Sequence, residues 1–312
     1  MSPRGRALHE ALVELDGHRL RLRNLDKVLY PAEGTTKAQV LDYYARVAPV
    51  MLPHLADRPV SRFRWPDGVD APSFVEKELP RGTPEWVRRV TVESPGSSRG
   101  HEHVTYPLVD SLASLTWLVN LAALELHVPQ WQVGPRVALQ GALHCPSRLV
   151  VDLDPGAPAG LAECAEVALL VRERLVDDGL DPLPVTSGSK GMQLYAAVSG
   201  RQDSDALRAY ARRLAEDLAR ERPDLVVSSM SKAVRPGKVL LDWSQNHGKK
   251  TTISPYSLRG RPAAHVAAPR TWAEVEEAGS LAQLHFSAVL RRVEQHGDLA
   301  AALLDPGPRV PA

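Results

Sequence analysis

Apolar positions recur at helical spacing just after Thr35-Thr36, where Lys37-Ala38-Gln39-Val40-Leu41 opens an amphipathic stretch to about Leu52. The threonines are suited to cap its start. Prolines at 53, 59, 72 and 80 then break the chain into loops and short strands through about Ser98. Residues 111–126 are apolar almost all round, which predicts a buried helix ending at His127. From Arg148 the pattern changes. Leu149-Val150-Val151-Asp152-Leu153-Asp154 reads as a strand stopped by Pro155-Gly156, followed by a helix over about 159–178. A strand near Pro184–Thr186, a glycine loop and a strand over Met192–Val198 come next, then a helix over about 204–221 and a strand over Lys238–Trp243. Short helices near Trp272–Ala278 and Ser287–Gln295 close the chain. The order β-α-β-β-α-β from 148 to 243 is that of a ferredoxin-like or RRM-like unit. No linker-like segment separates the halves, so the pattern predicts an α+β chain whose two lobes share a cleft.

Composition narrows the class. A chain of 312 residues can bury one large core or two modest ones. No run of about 18 uncharged apolar residues exists, so no membrane span is expected. Met1 to Arg6 are charged without an apolar stretch behind them, which argues against a secretory signal. Cys145 and Cys164, the only cysteines, form no C-x-x-C. Two buried thiols in a reducing cytoplasm is the expected reading, and no cysteine-based zinc site is expected. The net charge of +1 neither favours nor disfavours nucleic acid. Its distribution says more, with thirty arginines against eight lysines. Most of the lysines fall in glycine- or threonine-rich, non-helical surroundings where a point charge can meet a phosphate. For any one of them alone, an ordinary surface lysine is the competing reading.

Asp152 and Asp154 stand two apart on an apolar strand, so period-two geometry puts both on one face with Cα atoms roughly 6.5–7 Å apart. Like charges so close repel unless a cation lies between them, and carboxylate oxygens suit Mg²⁺ or Mn²⁺. D-x-D alone also occurs in phosphatases, glycosyltransferases and plain turns. Asp242 ends another strand of the same small unit, where capping of the strand end is the bland alternative. Three aspartates at the ends of two strands fit a two-metal arrangement for phosphoryl transfer. Between them in sequence, Thr186-Ser187-Gly188-Ser189-Lys190-Gly191 joins two strands. Its glycines permit convergent backbone amides, and Ser187 and Lys190 add donors; a tight hairpin with an incidental lysine is the alternative. It is not a P-loop, since the spacing differs and no helix follows. Gln245-Asn246-His247-Gly248-Lys249-Lys250-Thr251-Thr252 and Tyr256-Ser257-Leu258-Arg259 bring amide and basic groups right after Asp242. His127, at the end of an apolar helix, reads by itself as a satisfied structural group.

Several strings match one family jointly: Asn24-Leu25-Asp26-Lys27-Val28-Leu29-Tyr30-Pro31, Arg64-Trp65-Pro66-Asp67-Gly68, His127-Val128-Pro129-Gln130-Trp131, Val151-Asp152-Leu153-Asp154-Pro155-Gly156, Ser187-Gly188-Ser189-Lys190-Gly191 and Asp242-Trp243-Ser244-Gln245-Asn246. Together, from about residue 15 to 300, the chain resembles the polymerase domain of bacterial ligase D, of the archaeo-eukaryotic primase superfamily, in a stand-alone form. The resemblance implies an RRM-like primase-type catalytic lobe at about 146–300, an N-terminal α/β lobe at about 1–145 and a tail at 301–312, in a single primase/polymerase domain. It implies metal-dependent gap filling and end extension in non-homologous end joining, often with ribonucleotides. Asp152, Asp154 and Asp242 would hold two Mn²⁺ or Mg²⁺ ions. His127, Ser187, Lys190, Arg235, Gln245 and Arg259 would contact the incoming nucleoside triphosphate. Asn24, Lys27 and Lys37 would bind the 5′-phosphate across a gap, and Phe74 would stack near the template base. Implied partners are double-stranded DNA ends, gapped DNA, Ku and a separate ligase, in the cytoplasm and without membrane. The family's usual Lys-Gly-x-His is Lys-Gly-Met-Gln here, with Gln193 on the strand leaving the loop and able to face it. Its paired phenylalanines appear as Phe74-Val75, and Phe63 replaces a basic residue before Arg-Trp-Pro-Asp-Gly. The ligase signature Lys-x-Asp-Gly is absent. The principal alternative is a DNA-end binding module that keeps the 5′-phosphate pocket and polymerises weakly or not at all. A D-x-D phosphatase or glycosyltransferase is remote.

Overall fold

The computed structural model describes residues 9–93, 103–134 and 145–312; the charged segment Met1 to Arg6 and the end of the proline-broken stretch near Ser98 lie outside them. In chain order, the hairpin β1 (Glu10–Leu15) and β2 (His18–Arg23) precedes the short pair β3 (Val28–Tyr30) and β4 (Thr35–Thr36). Helix α1 (Lys37–Leu55) follows, started by a capping box in which the Thr36 side chain accepts from the Gln39 amide; a cap of this kind contributes about 1 kcal/mol. It runs one turn past the expected stop because Pro53 is carried inside the helix, where His54 and Leu55 are both buried. Next come β5 (Ser61–Arg64), β6 (Phe74–Glu76), the hairpin β7 (Arg89–Glu93) and β8 (His103–Pro107), and helix α2 (Leu112–Asn120).

The apolar run 111–126 is not one helix: it turns at Ala122, which has φ 61°, and continues as strand β9 (Ala123–Val128). Strand β9 pairs with β5 on one edge and β15 (Thr252–Ile253) on the other, and is buried along nearly its whole length, on both faces. A strand buried on both faces loses its alternation and cannot be told from a buried helix by periodicity alone.

The second half follows the expected order. It comprises β10 (Arg148–Pro155), α3 (Leu161–Asp177), β11 (Pro182–Thr186), β12 (Met192–Ala197), α4 (Ser204–Glu221), a short β13 (Val226–Val227) and β14 (Val239–Asp242). After β15 come β16 (His265–Val266), β17 (Ala268–Pro269), α5 (Trp272–Glu276), β18 (Leu284–His285) and α6 (Phe286–His296). Strands β14-β10-β12-β11 lie in that order, every neighbour antiparallel, extended by β13 and β17 into a six-stranded sheet. This is the split-βαβ arrangement of an RRM-like unit. A four-stranded sheet, β15-β9-β5-β6, lies in the other half.

Alternation along β10 decides which face does what. Leu149, Val151 and Leu153 join Met192, Leu194, Leu241 and the buried sides of α3 and α4 in one core. Val150 and Tyr195 face the other way, into a core built with α1, β9 and the C-terminal residues Ala300 and Leu303. Asp152 and Asp154 continue the Val150 face toward solvent. Burial of Val150 therefore fixes the register, since a slip of one residue would send both aspartates into the α3/α4 core. Among the described residues, no helix is long and apolar enough to cross a membrane. Cys164 is buried as expected, but Cys145 is exposed, since it precedes β10 instead of lying in it.

Candidate metal and nucleotide site

Asp242 lies directly opposite Asp152 in the β10–β14 ladder, and Asp154 is one step further along the same face. One carboxylate oxygen from each of the three lies within 4.8 Å of the others. Burial, then the charge of Asp154, raises the Asp152 carboxyl well above the usual carboxylate range, with Asp242 adding to the effect. Burial and Asp242 likewise raise Asp154, opposed by Arg235 and Arg259. Such a cluster is electrostatically incomplete, and its all-oxygen donor set fits a hard divalent cation. Asp242 also performs the capping role considered from sequence: its Oδ1 accepts from the Ser244 amide at 3.0 Å and from the Ser244 hydroxyl. Its Oδ2 accepts from Gln245 Nε2 at 3.0 Å. Lys250 Nζ donates to Ser244 Oγ and stands 3.9 Å from Asp242 Oδ2, so two residues of the polar loop already point at the carboxylates.

Gln193, on the strand leaving the glycine loop, lies beside the carboxylates. It pairs with Asp152 across β10–β12, is 5% exposed, accepts from Tyr195 Oη at 2.9 Å and gives its amide to the Asp152 carboxylate. Gln193 therefore acts directly on Asp152, one of the three carboxylates.

The loop itself is held from outside. Gln283, which no motif signalled, accepts from the Gly188 amide at 2.7 Å and donates to Gly191 O at 2.9 Å. The Ser187 amide closes onto Gly191 O at 3.0 Å and the Ser189 amide onto Ser187 Oγ at 3.3 Å. Those three amides are thus engaged within the protein, while Lys190 is exposed and Ser187 buried. Gly188, at φ 71°, lies against the Arg259 stem, and Gly191 lies against Leu153 O. The loop, Arg259 and the β10 aspartates are therefore packed together. Arg235, just after the 3₁₀ turn Lys232–Val234, donates to Met230 O at 2.5 Å, and its buried Nε has no partner among the described residues.

His127, on a strand and not at a helix end, joins the same site through Glu125. Two residues apart on β9, both side chains share one face; on a helix they would stand about 200° apart. Glu125 Oε2 accepts from His127 Nε2 at 2.8 Å and from Arg259 NH1 at 2.9 Å. Burial opposes ionisation of Glu125, yet His127, Arg259 and the Gly260 amide together hold its carboxyl at about 2. Burial lowers the His127 imidazole, with Glu125 opposing that shift.

The residues assigned to a 5′-phosphate form a separate group. Asn24 (φ 54°) begins a tight turn closed by the Lys27 amide onto Asn24 O, and Lys27 Nζ is 2.6 Å from Asp67 Oδ1. Lys37 is 5% exposed, and its ammonium donates to Arg23 O, Asn120 O and Asn120 Oδ1 at 2.8, 2.6 and 2.9 Å. The first amides of α1 bond to Lys27 O and Leu25 O. They are consequently not free for an anion, contrary to the usual expectation for a helix N-terminus. Phe74 is 43% exposed under the Arg64 guanidinium, 5.0 Å from ring centroid to Cζ, with Val75 exposed beside it.

The family profile of the LigD primase-polymerase domain matches residues 36–300. Over 289 residues the chain is 50% identical to the multifunctional non-homologous end joining DNA repair protein LigD of Mycobacterium tuberculosis (strain H37Rv), covering 91% of this chain and 37% of that protein. It is 45% identical to the LigD of Mycolicibacterium smegmatis over 285 residues, covering 91% and 36%, and 30% identical to the bifunctional LigD of Bacillus subtilis over 280 residues, covering 89% and 43%. The chain thus spans well under half the length of these relatives. Its structure is similar to that of the polymerase domain of Mycobacterium tuberculosis ligase D in complex with DNA, with TM-score 0.85 and 49% identity over 93% of this chain and 99% of that one.

Proposed function

The chain belongs to the LigD primase-polymerase family, and from that premise we propose that it is a metal-dependent, DNA-directed nucleotidyltransferase that fills gaps and extends DNA ends in non-homologous end joining, favouring ribonucleotides. The observation that carries the proposal is the carboxylate cluster Asp152, Asp154 and Asp242 with Arg235, Gln245, Lys250 and Arg259 around it. The three aspartates would hold Mn²⁺ or Mg²⁺, which when bound neutralises charge on the transferring phosphoryl group. Gln245 must turn from Asp242 to meet a nucleotide, and Lys190, Arg235 and Arg259 supply cationic donors for a polyphosphate. Ser187 and His127 complete the nucleotide contacts in this reading, and Phe74, exposed on an edge strand, offers a stacking surface to a template base. We read residues 1–312 as one primase/polymerase domain, supported by the core that packs Leu20 with Leu303. Double-stranded DNA ends, Ku and a separate ligase are the partners this reading implies.

The test is primer extension on a gapped duplex with Mn²⁺ or Mg²⁺ and with ribo- or deoxyribonucleoside triphosphates. Templated addition is expected with either metal, faster with ribonucleotides. Tight binding of the gapped DNA without extension in any combination overturns the polymerase assignment in favour of an end-binding module.

A gap carrying a 5′-phosphate should be bound more tightly than one carrying a 5′-hydroxyl. The contacts proposed are Lys27 and Asn24 at the surface, with Lys37 adding charge from beneath. Burial, then the charges of Lys27 and Arg64, lowers the Lys37 ammonium to about 8. A bound phosphate favours the charged form, so the preference should be full at pH 7 and shrink as pH rises through about 8; an ordinary lysine would keep it to about 10. Lys27→Ala with Lys37→Met should lose the preference and keep simple primer extension. Equal wild-type affinity for both gap ends at pH 7, measured by fluorescence anisotropy, rejects the pocket.

A further inference from the structure

We propose that Glu125 is a positioning residue for nucleotide binding, holding the His127 imidazole and the Arg259 guanidinium on one carboxylate so that both meet the same polyphosphate. The inference rests on the reading that His127 and Arg259 contact the nucleotide.

Every ligand of Glu125 is fixed from a different part of the chain. Its Oε2 takes His127 Nε2 from its own strand and Arg259 NH1 from the segment after β15, while its Oε1 takes the Gly260 amide at 3.0 Å. The three side chains are little exposed, at 8% for Glu125, 12% for His127 and 18% for Arg259. Phe63 covers one face of the imidazole, with ring centroids 4.4 Å apart. Tyr30 Oη donates to Arg259 O at 2.8 Å, and Gly188 packs on the Arg259 stem. Backbone and stem of Arg259 are thereby fixed, and its buried Nε has no partner among the described residues. A buried carboxylate inside a site for a polyanion is unfavourable unless it neutralises and aims the cations around it.

The same geometry sets how His127 can act. With Nε2 committed to Glu125, the ring can donate to a second anion only through Nδ1–H. Both nitrogens carry protons only in the imidazolium. Nucleotide binding should therefore take up a proton at His127, and Glu125 favours that state. The charged groups facing His127 are Glu125 and Arg259; β5 and β15 pair Ser61 and Ile253 with it and add no charge. Since Glu125 raises the imidazole against burial, removing its charge makes protonation harder at every pH.

The experiment is steady-state extension on gapped DNA at pH 6 to 8.5 with wild type, Glu125→Gln, Glu125→Asp, His127→Ala and Arg259→Ala. Folding is checked by thermal melting, and DNA affinity by anisotropy. Glutamine keeps the shape but cannot accept all three hydrogen bonds, so its nucleotide KM should rise about tenfold. Its kcat should change less, and gapped-DNA affinity should stay as in wild type. The wild-type KM should rise with pH across this range, and Glu125→Gln should flatten that rise. Glu125→Asp, which keeps the charge on a shorter arm, should fall between the two. A Glu125→Gln KM within about twofold of wild type, while Arg259→Ala and His127→Ala raise it, overturns the positioning role. If neither Arg259→Ala nor His127→Ala changes KM, the underlying nucleotide assignment fails instead.

Discussion

Replacing Asp242 with alanine should abolish nucleotide addition and leave binding to gapped DNA nearly unchanged. Asp242 supplies one of the three carboxylate oxygens that lie within 4.8 Å of one another, opposite Asp152 in the ladder. Cation stabilisation of a transferring phosphoryl group is worth several kcal/mol, so its loss should lower kcat by roughly three orders of magnitude or more. Asp242→Asn serves as the companion variant, since an amide oxygen can still accept from the Ser244 amide and keep the 3₁₀ turn Trp243–Asn246 in place. A linked effect separates the metal from the fold. Asp152 and Asp154 have raised carboxyls, so the folded protein holds more protons than the unfolded chain above the ordinary carboxylate range. Stability without metal must then fall as pH rises through that window. Mn²⁺ should accordingly raise the melting temperature more at pH 8 than at pH 6, and less in either Asp242 variant. Activity within about tenfold of wild type at saturating Mn²⁺ for Asp242→Ala would remove Asp242 from the metal site.

The second large effect is expected at Gly188. Its φ of 71° belongs to the left-handed region, and an added Cβ would stand 2.7 Å from Arg259 Cγ and 2.9 Å from Val266 C. The left-handed conformation costs a non-glycine residue about 1–2 kcal/mol, and forcing the contact about 1–3 more. Relief requires the loop to back away from Arg259, which would displace Ser187 and Lys190 from the proposed nucleotide site. The nucleotide KM of Gly188→Ala should therefore rise by roughly a hundredfold, with gapped-DNA affinity retained. Gly200→Ala is the control: φ is 64° there too, but nothing lies within 4 Å of the added atom. It should lower the melting temperature slightly and leave KM alone. Equal KM values for Gly188→Ala and wild type would show that the loop does not contact the nucleotide.

Period-two alternation around Asp152 and Asp154 placed both on one face without any knowledge of partners, because strand geometry is local. The β-α-β-β-α-β order likewise predicted the β14-β10-β12-β11 arrangement, and Thr36 with Gln39 marked the start of α1. What the sequence hid depends on burial and on residues far away. Strand β9 reads as helical in the sequence because both its faces are buried and its apolar residues do not alternate cleanly, so His127 falls at an expected helix end and Glu125 carries no local signal. The carboxylate of Glu125 acquires a role only when Arg259 and Gly260, 134 and 135 residues later, reach it. Gln283 reaches the glycine loop from 92 residues beyond Gly191. Lys27 and Lys37 read alike as candidate phosphate contacts, yet one sits at the surface beside Asp67 and the other is buried with three acceptors. Gln193 meets Asp152 because pairing of β12 with β10 sets its neighbours. Residue type and local period determined which groups could do chemistry and on which side of their own strand they stand. Tertiary packing alone decided which groups meet, since hydrogen-bond partners and burial are set by contacts across the sheets that no local period records.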